Sequence, residues 1–397
     1  MSAQRFDAVI SGLGKAAIGR PLNRSALDLT LDAALAAISD AGLTPADIDG
    51  LASWPGATPE PPGFSPIATV DLREALRLKL NWYCAGFELP GQFAAVANAC
   101  AAVTAGLARH VLVFRTITEA SAQAAMRKNP PKMTEPPKAN RQYQWQLPFD
   151  AMSATNWVAL YGQHHFDKYG TTREQMGQIA VNARRNAQLN PDALFRDPLS
   201  LDDYLAGRMI SSPLSLFDCD TVTDTSTAVI VSAAETCADL RSKPVHIRAV
   251  GCALQGRESW DQVDDFSTFP AMQGAAQMMW DGGGLKPKDV DVAQLYDGFS
   301  FLTMAWLEAL GFCAEGESGA FIEDGTRIAL DGELPLNTDG GQLSGGKRHG
   351  FGFLHEACLQ LRGEAQDRQL KNAPQVAVAA AGGGPQSTCI LLTSGPD

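Results

Sequence analysis

Apolar positions along the chain recur in two rhythms. Ala8-Val-Ile-Ser-Gly-Leu-Gly14 is a short, nearly continuous apolar run that stops at glycines, which predicts a buried strand. From Asn23 the rhythm changes. Leu27, Leu31, Ala34 and Ile38 fall on one helical face, Ser25 is placed to cap the start, and Gly42 ends the helix. Leu43-Thr-Pro-Ala-Asp-Ile-Asp-Gly-Leu-Ala-Ser-Trp54 then reads as a turn feeding a second strand.

This pattern repeats. Gly42-Leu-Thr-Pro-Ala-Asp-Ile-Asp49 matches Gly284-Leu-Lys-Pro-Lys-Asp-Val-Asp291 at six of eight positions, with Ile and Val taken as equivalent. Each copy follows an Ala-rich helix, 25–41 in the first and about 269–280 in the second. A weaker correspondence joins the helix Phe93 to Ala108 and the strand His110-Val-Leu-Val-Phe114 with the helix His349 to Leu361 and the strand Val376-Ala-Val-Ala-Ala380. Both halves read strand–helix–strand–helix–strand, which predicts a duplicated α/β architecture with parallel strands covered by helices. Ala228-Val-Ile-Val-Ser232 closes the first half and Val245-His-Ile-Arg-Ala-Val-Gly251 opens the second.

Between the halves lies an irregular excursion, 118–215. It holds the proline-rich Pro130-Pro-Lys-Met-Thr-Glu-Pro-Pro137 and two helical stretches, Ala154–Tyr169 and Thr172–Leu189. An insertion of this size over a sheet end predicts a lid or substrate wall. Its aromatic residues Tyr143, Trp145, Phe149 and Trp157 suit a bulky hydrophobic substrate. The expected division is 1–117 with 216–243, the insertion 118–215, and 244–397.

Composition narrows the function. A net charge of −12 argues against nucleic acid as a partner. No run approaches the roughly 18 apolar residues of a membrane span, and the first residues read straight into a strand, so neither a span nor a signal peptide is expected. The eight cysteines are scattered without a C-x-x-C pair, the usage of a reducing cytoplasm, and the six histidines show no metal-ligand spacing. No metal and no bound cofactor are therefore expected.

The candidate chemistry lies on two loops of the second half. Gln294-Leu-Tyr-Asp-Gly-Phe-Ser300 follows an apolar strand and precedes an apolar helix, roughly Phe299 to Leu310, so it puts Tyr296 and Asp297 at a strand end. Asn337-Thr-Asp-Gly-Gly-Gln-Leu-Ser-Gly-Gly-Lys-Arg-His-Gly350 brings Gly340, Gly341, Lys347, Arg348 and His349. The two loops are expected to face one pocket. Tyr296 is either catalytic or a buried tyrosine; Asp297 is either catalytic or the cap of the following helix.

Further residues carry a resemblance. His165-Phe-Asp-Lys-Tyr-Gly-Thr171, Ala180-Val-Asn-Ala-Arg-Arg-Asn-Ala-Gln-Leu-Asn-Pro191, Ser212-Pro-Leu214, Asp218-Cys-Asp220, Thr227-Ala-Val-Ile-Val231, Tyr296-Asp-Gly-Phe299, Asn337-Thr-Asp-Gly-Gly341 and Gly382-Gly-Gly-Pro385 together resemble the thiolase superfamily. They are most similar to its sterol-carrier-protein-like branch. The resemblance covers nearly the whole chain. It implies the thiolase fold, two β-α-β-α-β halves layered α-β-α-β-α with a loop-domain insertion, and an acyl-CoA thioester as substrate. It also implies a homodimer.

The chain departs from thiolases where their chemistry resides. The nucleophilic cysteine position falls near Leu89-Pro-Gly91, and Cys84 lies about five residues earlier. The acid/base cysteine position is Ala380, and the family's histidine aligns with Lys347, with His349 nearby. Thiolase-like aldolases of steroid side-chain degradation also resemble this chain, having a Tyr-Asp-x-Phe loop and no nucleophilic cysteine. That likeness implies retro-aldol cleavage of a β-hydroxyacyl-CoA to a ketone and a shorter acyl-CoA, without a covalent intermediate. It also implies a zinc-ribbon/OB-fold (DUF35) partner in a heterotetramer.

On this reading Tyr296 moves the proton, and Lys347, Arg348 or His349 lowers its pKa or shares the proton. Backbone N–H groups at Gly340, Gly341, Gly382, Gly383 and Gly384 bind the thioester oxygen. Two alternatives stay open: an acyltransferase using Cys84, and an acyl-CoA-binding subunit that needs a partner.

Overall fold

The computed structural model describes residues 6–59, 61–86, 91–130, 143–257 and 259–396. Its strands are β1 (Ala8–Lys15), β2 (Gly50–Ser53), β3 (Trp82–Ala85), β4 (His110–Thr118), β5 (Met209–Ser211), β6 (Leu214–Ser215), β7 (Asp224–Ala233), β8 (Val245–Leu254), β9 (Val292–Leu295), β10 (Val376–Gly383) and β11 (Gln386–Thr393). Among the described residues, nine of them form one sheet in the order β3-β2-β4-β7-β1-β8-β11-β10-β9. The β1–β8 junction is slight: only Val9 opposite His246 and Ile10 opposite Val245. Outward from it, β1, β7, β4 and β2 in one half mirror β8, β11, β10 and β9 in the other.

The duplication is visible in matching details. Gly42 and Gly284 both end their helices in the left-handed region, at φ 79° and 68°. Asp49 accepts the N–H groups of Arg109 and His110 at the start of β4, while Asp291 accepts those of Gln375 and Val376 at the start of β10. In each half an aspartate at the entrance to one strand anchors the next strand beside it. A Cβ on Gly12 of β1 would lie 2.2 Å from the Ala37 carbonyl oxygen, and one on Gly251 of β8 1.8 Å from that of Ala275. Only glycine lets each outer helix pack this closely on its strand.

Parallel pairing is narrower than expected. It holds for β2 with β3, β2 with β4, and β9 with β10, and the other pairs in the sheet are antiparallel. The tight turn between β10 and β11 explains one case, since parallel neighbours need a crossover of a dozen or more residues.

Three apolar clusters define the layers. The helix Ala26–Ala41 covers the outer face of the first half. The helices Ala94–Thr104 and Phe351–Arg362 lie between the two halves, with the Phe93 and Phe351 rings 6.3 Å apart. The helix Pro270–Gly283 and the insertion pack outside the second half. The result is the expected α-β-α-β-α stack.

The insertion contains the helices Ala154–Tyr169 and Arg173–Gln188, the latter capped by Thr172. Its asparagines are clamps on the glycine loop. The side-chain N–H groups of Asn182 and Asn186 donate to the Leu336 carbonyl, and that of Asn190 to the Asp339 carbonyl. Asn182 and Asn186, four apart, share a helix face, and Asn190 lies just past the helix end, so all three reach one loop. Most of the proline-rich stretch and the side chain of Tyr143 lie outside the described residues. No described helix is long and apolar enough to cross a membrane.

Candidate active site

A cavity of about 470 Å³ opens where the loop after β9, the β10–β11 turn, the N-termini of both central helices and the insertion converge. The two loops singled out in the sequence do meet here. Tyr296, Lys347 and His349 all line the cavity, whereas Arg348 does not.

The loop after β9 is held from its neighbour. Asn337 donates from Nδ2 to the Leu295 carbonyl and accepts the Leu295 N–H at Oδ1, so its amide continues the strand edge. Asp297 Oδ1 accepts the Gln342 N–H at 2.7 Å. Gln342 in turn accepts the Gly350 N–H at Oε1 and donates from Nε2 to Asp220 Oδ2 at 3.3 Å. The Lys347 carbonyl accepts from the Thr223 hydroxyl at 2.6 Å. The loops that carry the site are thus fastened by hydrogen bonds to distant segments.

Asp297 therefore takes neither expected role. It does not line the cavity, and the helix Ser300–Ala309 has Phe299 at its N-cap with no side-chain cap. It is a buried fastener for the glycine loop, and burial pushes its carboxyl up to about 8.

Gly340 and Gly341 also lie outside the cavity lining. The Gly340 N–H bonds the Asn337 carbonyl and the Gly341 N–H bonds Asp339 Oδ1. With both donors occupied, they cannot receive a thioester oxygen. Gly382 and Gly383 do line the cavity; Gly384 instead abuts Trp260, whose ring would lie 2.1 Å from a Cβ there.

Cys84 is on β3, paired with Ala52, and receives a weak hydrogen bond from Asn98 Nδ2 at 3.7 Å. It is not in the cavity lining, and no cysteine is among the described lining residues. Ala380 is buried in β10, away from the cavity. Leu89 and Pro90 lie outside the described residues, but Gly91 and Gln92 beside them line the cavity.

The electrostatics reverse one expectation. Lys347 does act to lower the Tyr296 phenol, yet burial first and the Asp220 charge second outweigh it, and the phenol is pushed up to about 12. At neutral pH Tyr296 is a proton-bearing group, not a phenolate. Burial likewise lifts Asp220 to about 6, held from going further by Lys347. Burial works to depress Lys347, but Asp220 and Glu119 together raise it, and its Nζ lies 3.0 Å from Glu119 Oε2. His349 is held well below its usual range by burial and by the nearby cations Arg115 and Lys347, so it is neutral.

The structure adds residues that sequence reasoning missed: Asp220, Glu119, Gln342, Arg115 and Trp260. Asp220 was present in the Asp218-Cys-Asp220 motif without an assigned role. Arg115 interrupts the apolar run of β4, a charge in a buried strand that invited attention. Of the insertion's aromatics, Trp157 lines the cavity, while Trp145 and Phe149 are 62% and 79% exposed and do not.

Residues 253–394 match the family described as thiolase C-terminal domain-like. The chain is 34% identical to a steroid side-chain-cleaving aldolase of Thermomonospora curvata, over 98% of this chain and 99% of that protein. It is 33% identical to a 17-hydroxy-3-oxo-4-pregnene-20-carboxyl-CoA lyase of Mycobacterium tuberculosis, over 97% of this chain and 99% of the relative. A solved Ltp2-ChsH2(DUF35) aldolase superposes with a TM-score of 0.86 at 30% identity, covering 98% of each chain.

Proposed function

This chain belongs to the thiolase superfamily, and from its likeness to the aldolase and the lyase named above we infer that it is a carbon–carbon lyase, a CoA-thioester aldolase. Its substrate is a β-hydroxyacyl-CoA with a bulky, steroid-like acyl group. The products are a ketone and a shorter acyl-CoA. One observation supports this over thiolysis: the cavity presents a phenol, a carboxylate and a lysine, and no cysteine among the described lining residues.

The residues suit a retro-aldol step. The β-hydroxyl gives its proton to Tyr296 Oη as the phenolic proton passes to Asp220, whose carboxylate is ionised above about pH 6. A phenol lifted to about 12 cannot act as a base unless it sheds its proton in the same step. The α–β carbon bond then breaks, and its electron pair becomes the enolate of the shorter thioester. The oxygen of the former β-hydroxyl becomes the ketone carbonyl. Protonated Asp220 returns the proton through Tyr296 to the enolate carbon, so the cycle closes without a cofactor. Lys347 stabilises the Asp220 charge, and His349, Gly382 and Gly383 line the same cavity, where the thioester would lie.

By the same reading the protein acts as a homodimer and assembles with a DUF35-type zinc-ribbon/OB-fold protein into a heterotetramer; the part of this that the comparisons support is the DUF35 protein named beside Ltp2 in the solved aldolase. The test is to assay the chain, alone and co-expressed with such a partner, on a β-hydroxyacyl-CoA and a β-ketoacyl-CoA side by side. Release of ketone and acyl-CoA from the hydroxy substrate supports the reading. Cleavage confined to the keto substrate in the presence of free CoA refutes it.

A further inference from the structure

We propose that Arg115 is a positioning residue that locks His349 into one tautomer, with Nδ1 as acceptor and Nε2 carrying the proton toward the cavity. The role of that Nε2–H toward the thioester oxygen rests on the aldolase reading; the tautomer itself does not.

The geometry is specific. Arg115 Nε and Nη2 each lie 3.2 Å from His349 Nδ1, and Nη1 donates to the Thr116 carbonyl at 2.8 Å. A guanidinium has donors only, so Nδ1 must present its lone pair and the neutral ring carries its proton on Nε2. Protonating Nδ1 would set an N–H against two N–H groups of a cation. Burial lowers Arg115 to about 9, which leaves it cationic at neutral pH.

The ring cannot turn away from this partner. It stacks on Trp54 at 5.6 Å with 13° between planes, and Phe64 meets its face edge-on at 4.8 Å. The Arg115 guanidinium lies 4.7 Å above the same Phe64 ring, so one aromatic aligns both members of the pair. His349 has φ 49° and Gly350 φ 93°, a sharp turn that delivers the imidazole from the loop end to the start of the central helix. The charged groups acting on the ring are Arg115 from β4 and Lys347 from its own loop, both cations, while Trp54 and Phe64 are uncharged. Among the described residues, no acid is one of the charged groups acting on the ring, although Asp220 lines the same cavity. A neutral N–H is the useful species here, because it can stabilise an enolate without surrendering its proton.

The experiment is nitrogen NMR of protein labelled at its histidines, with His349→Gln used to assign the signal. The wild type is expected to show the Nε2–H tautomer and no protonation over the range in which the fold persists. In Arg115→Met, Nδ1 loses its donors, and the ring should become a tautomer mixture that titrates. In Arg115→Gln, one neutral donor remains and the Nε2–H form should be partly kept. Turnover in Arg115→Met should fall about 10- to 100-fold in kcat with little change in KM, as for other partners that orient an imidazole. An Nδ1–H tautomer or an imidazolium at neutral pH in the wild type overturns the proposal. So does an unchanged tautomer in a folded Arg115→Met protein. Because the wild-type spectrum needs no substrate, failure of the aldolase reading would leave this result standing.

Discussion

Replacing Asp220 with asparagine separates its charge from its shape. Asparagine has nearly the same volume and keeps an oxygen to accept from Gln342 Nε2, now 3.3 Å from Oδ2. The backbone N–H of residue 220, bonded to the Gly298 carbonyl at 3.0 Å, is untouched. Lys347 retains its ion pair with Glu119 at 3.0 Å, so no uncompensated buried cation results. Stability should hold, and the sign is clear. Asp220 titrates near 6 in the fold against an ordinary 3.8. The folded state therefore holds its proton more tightly, and the carboxyl costs stability as pH rises through that interval. Asparagine removes this cost, and the thermal midpoint above pH 6 should not drop.

Catalysis should suffer instead. On the proposed path Asp220 is the last acceptor for the β-hydroxyl proton, and a positioned base contributes typically 10²–10⁴-fold, or about 2.7–5.4 kcal/mol of barrier. The wild-type kcat/KM for a β-hydroxyacyl-CoA should fall about tenfold per pH unit below about 6, where the carboxylate protonates. Asp220→Asn should lie lower by the stated factor and lose that acidic limb. A variant within about twofold of wild type, with the limb intact, would refute the proton path.

Other substitutions probe the same scheme. Tyr296→Phe keeps the ring that packs 6.0 Å from Phe353 but deletes the hydroxyl; turnover should fall about 10²–10⁴-fold, and unchanged turnover removes tyrosine from the mechanism. Cys84→Ala should leave β-hydroxyacyl-CoA cleavage at wild-type rates, since the thiol is not in the cavity lining; abolished turnover would restore the covalent alternative. Gly341→Ala places a Cβ 2.0 Å from Asp297 Oδ2 at φ 57°, so denaturant unfolding should show a loss of at least about 1–3 kcal/mol.

Much of the fold was legible because its determinants are local. The helix Ala154–Tyr169 has the expected bounds, and Ser25 accepts the Asp28 N–H as a cap should. The Asp49/Asp291 repeat announced a duplication because each copy needs the same carboxylate to anchor the next strand. The strand directions were less legible, since β7 and β11 run antiparallel to their neighbours for reasons of connection, not of residue pattern. At the site, Tyr296, Lys347 and His349 were found because a strand end and a glycine-rich loop mark exposed backbone. Asp297, Gly340 and Gly341 share those loops but turn into the protein, and spacing in sequence does not say which way a loop side chain faces.

What the sequence alone determined is the α/β duplication, its family and the absence of cysteine from the expected nucleophile position, all properties of residue order. What only the tertiary structure decided is the charge state of each group. Arg115 reaches His349 across 234 positions and Gln342 reaches Asp220 across 122. Burial is a property of the assembled layers, and it reversed the expected shift of Tyr296: a cation was indeed nearby, but removal from water and the Asp220 carboxylate outweighed it.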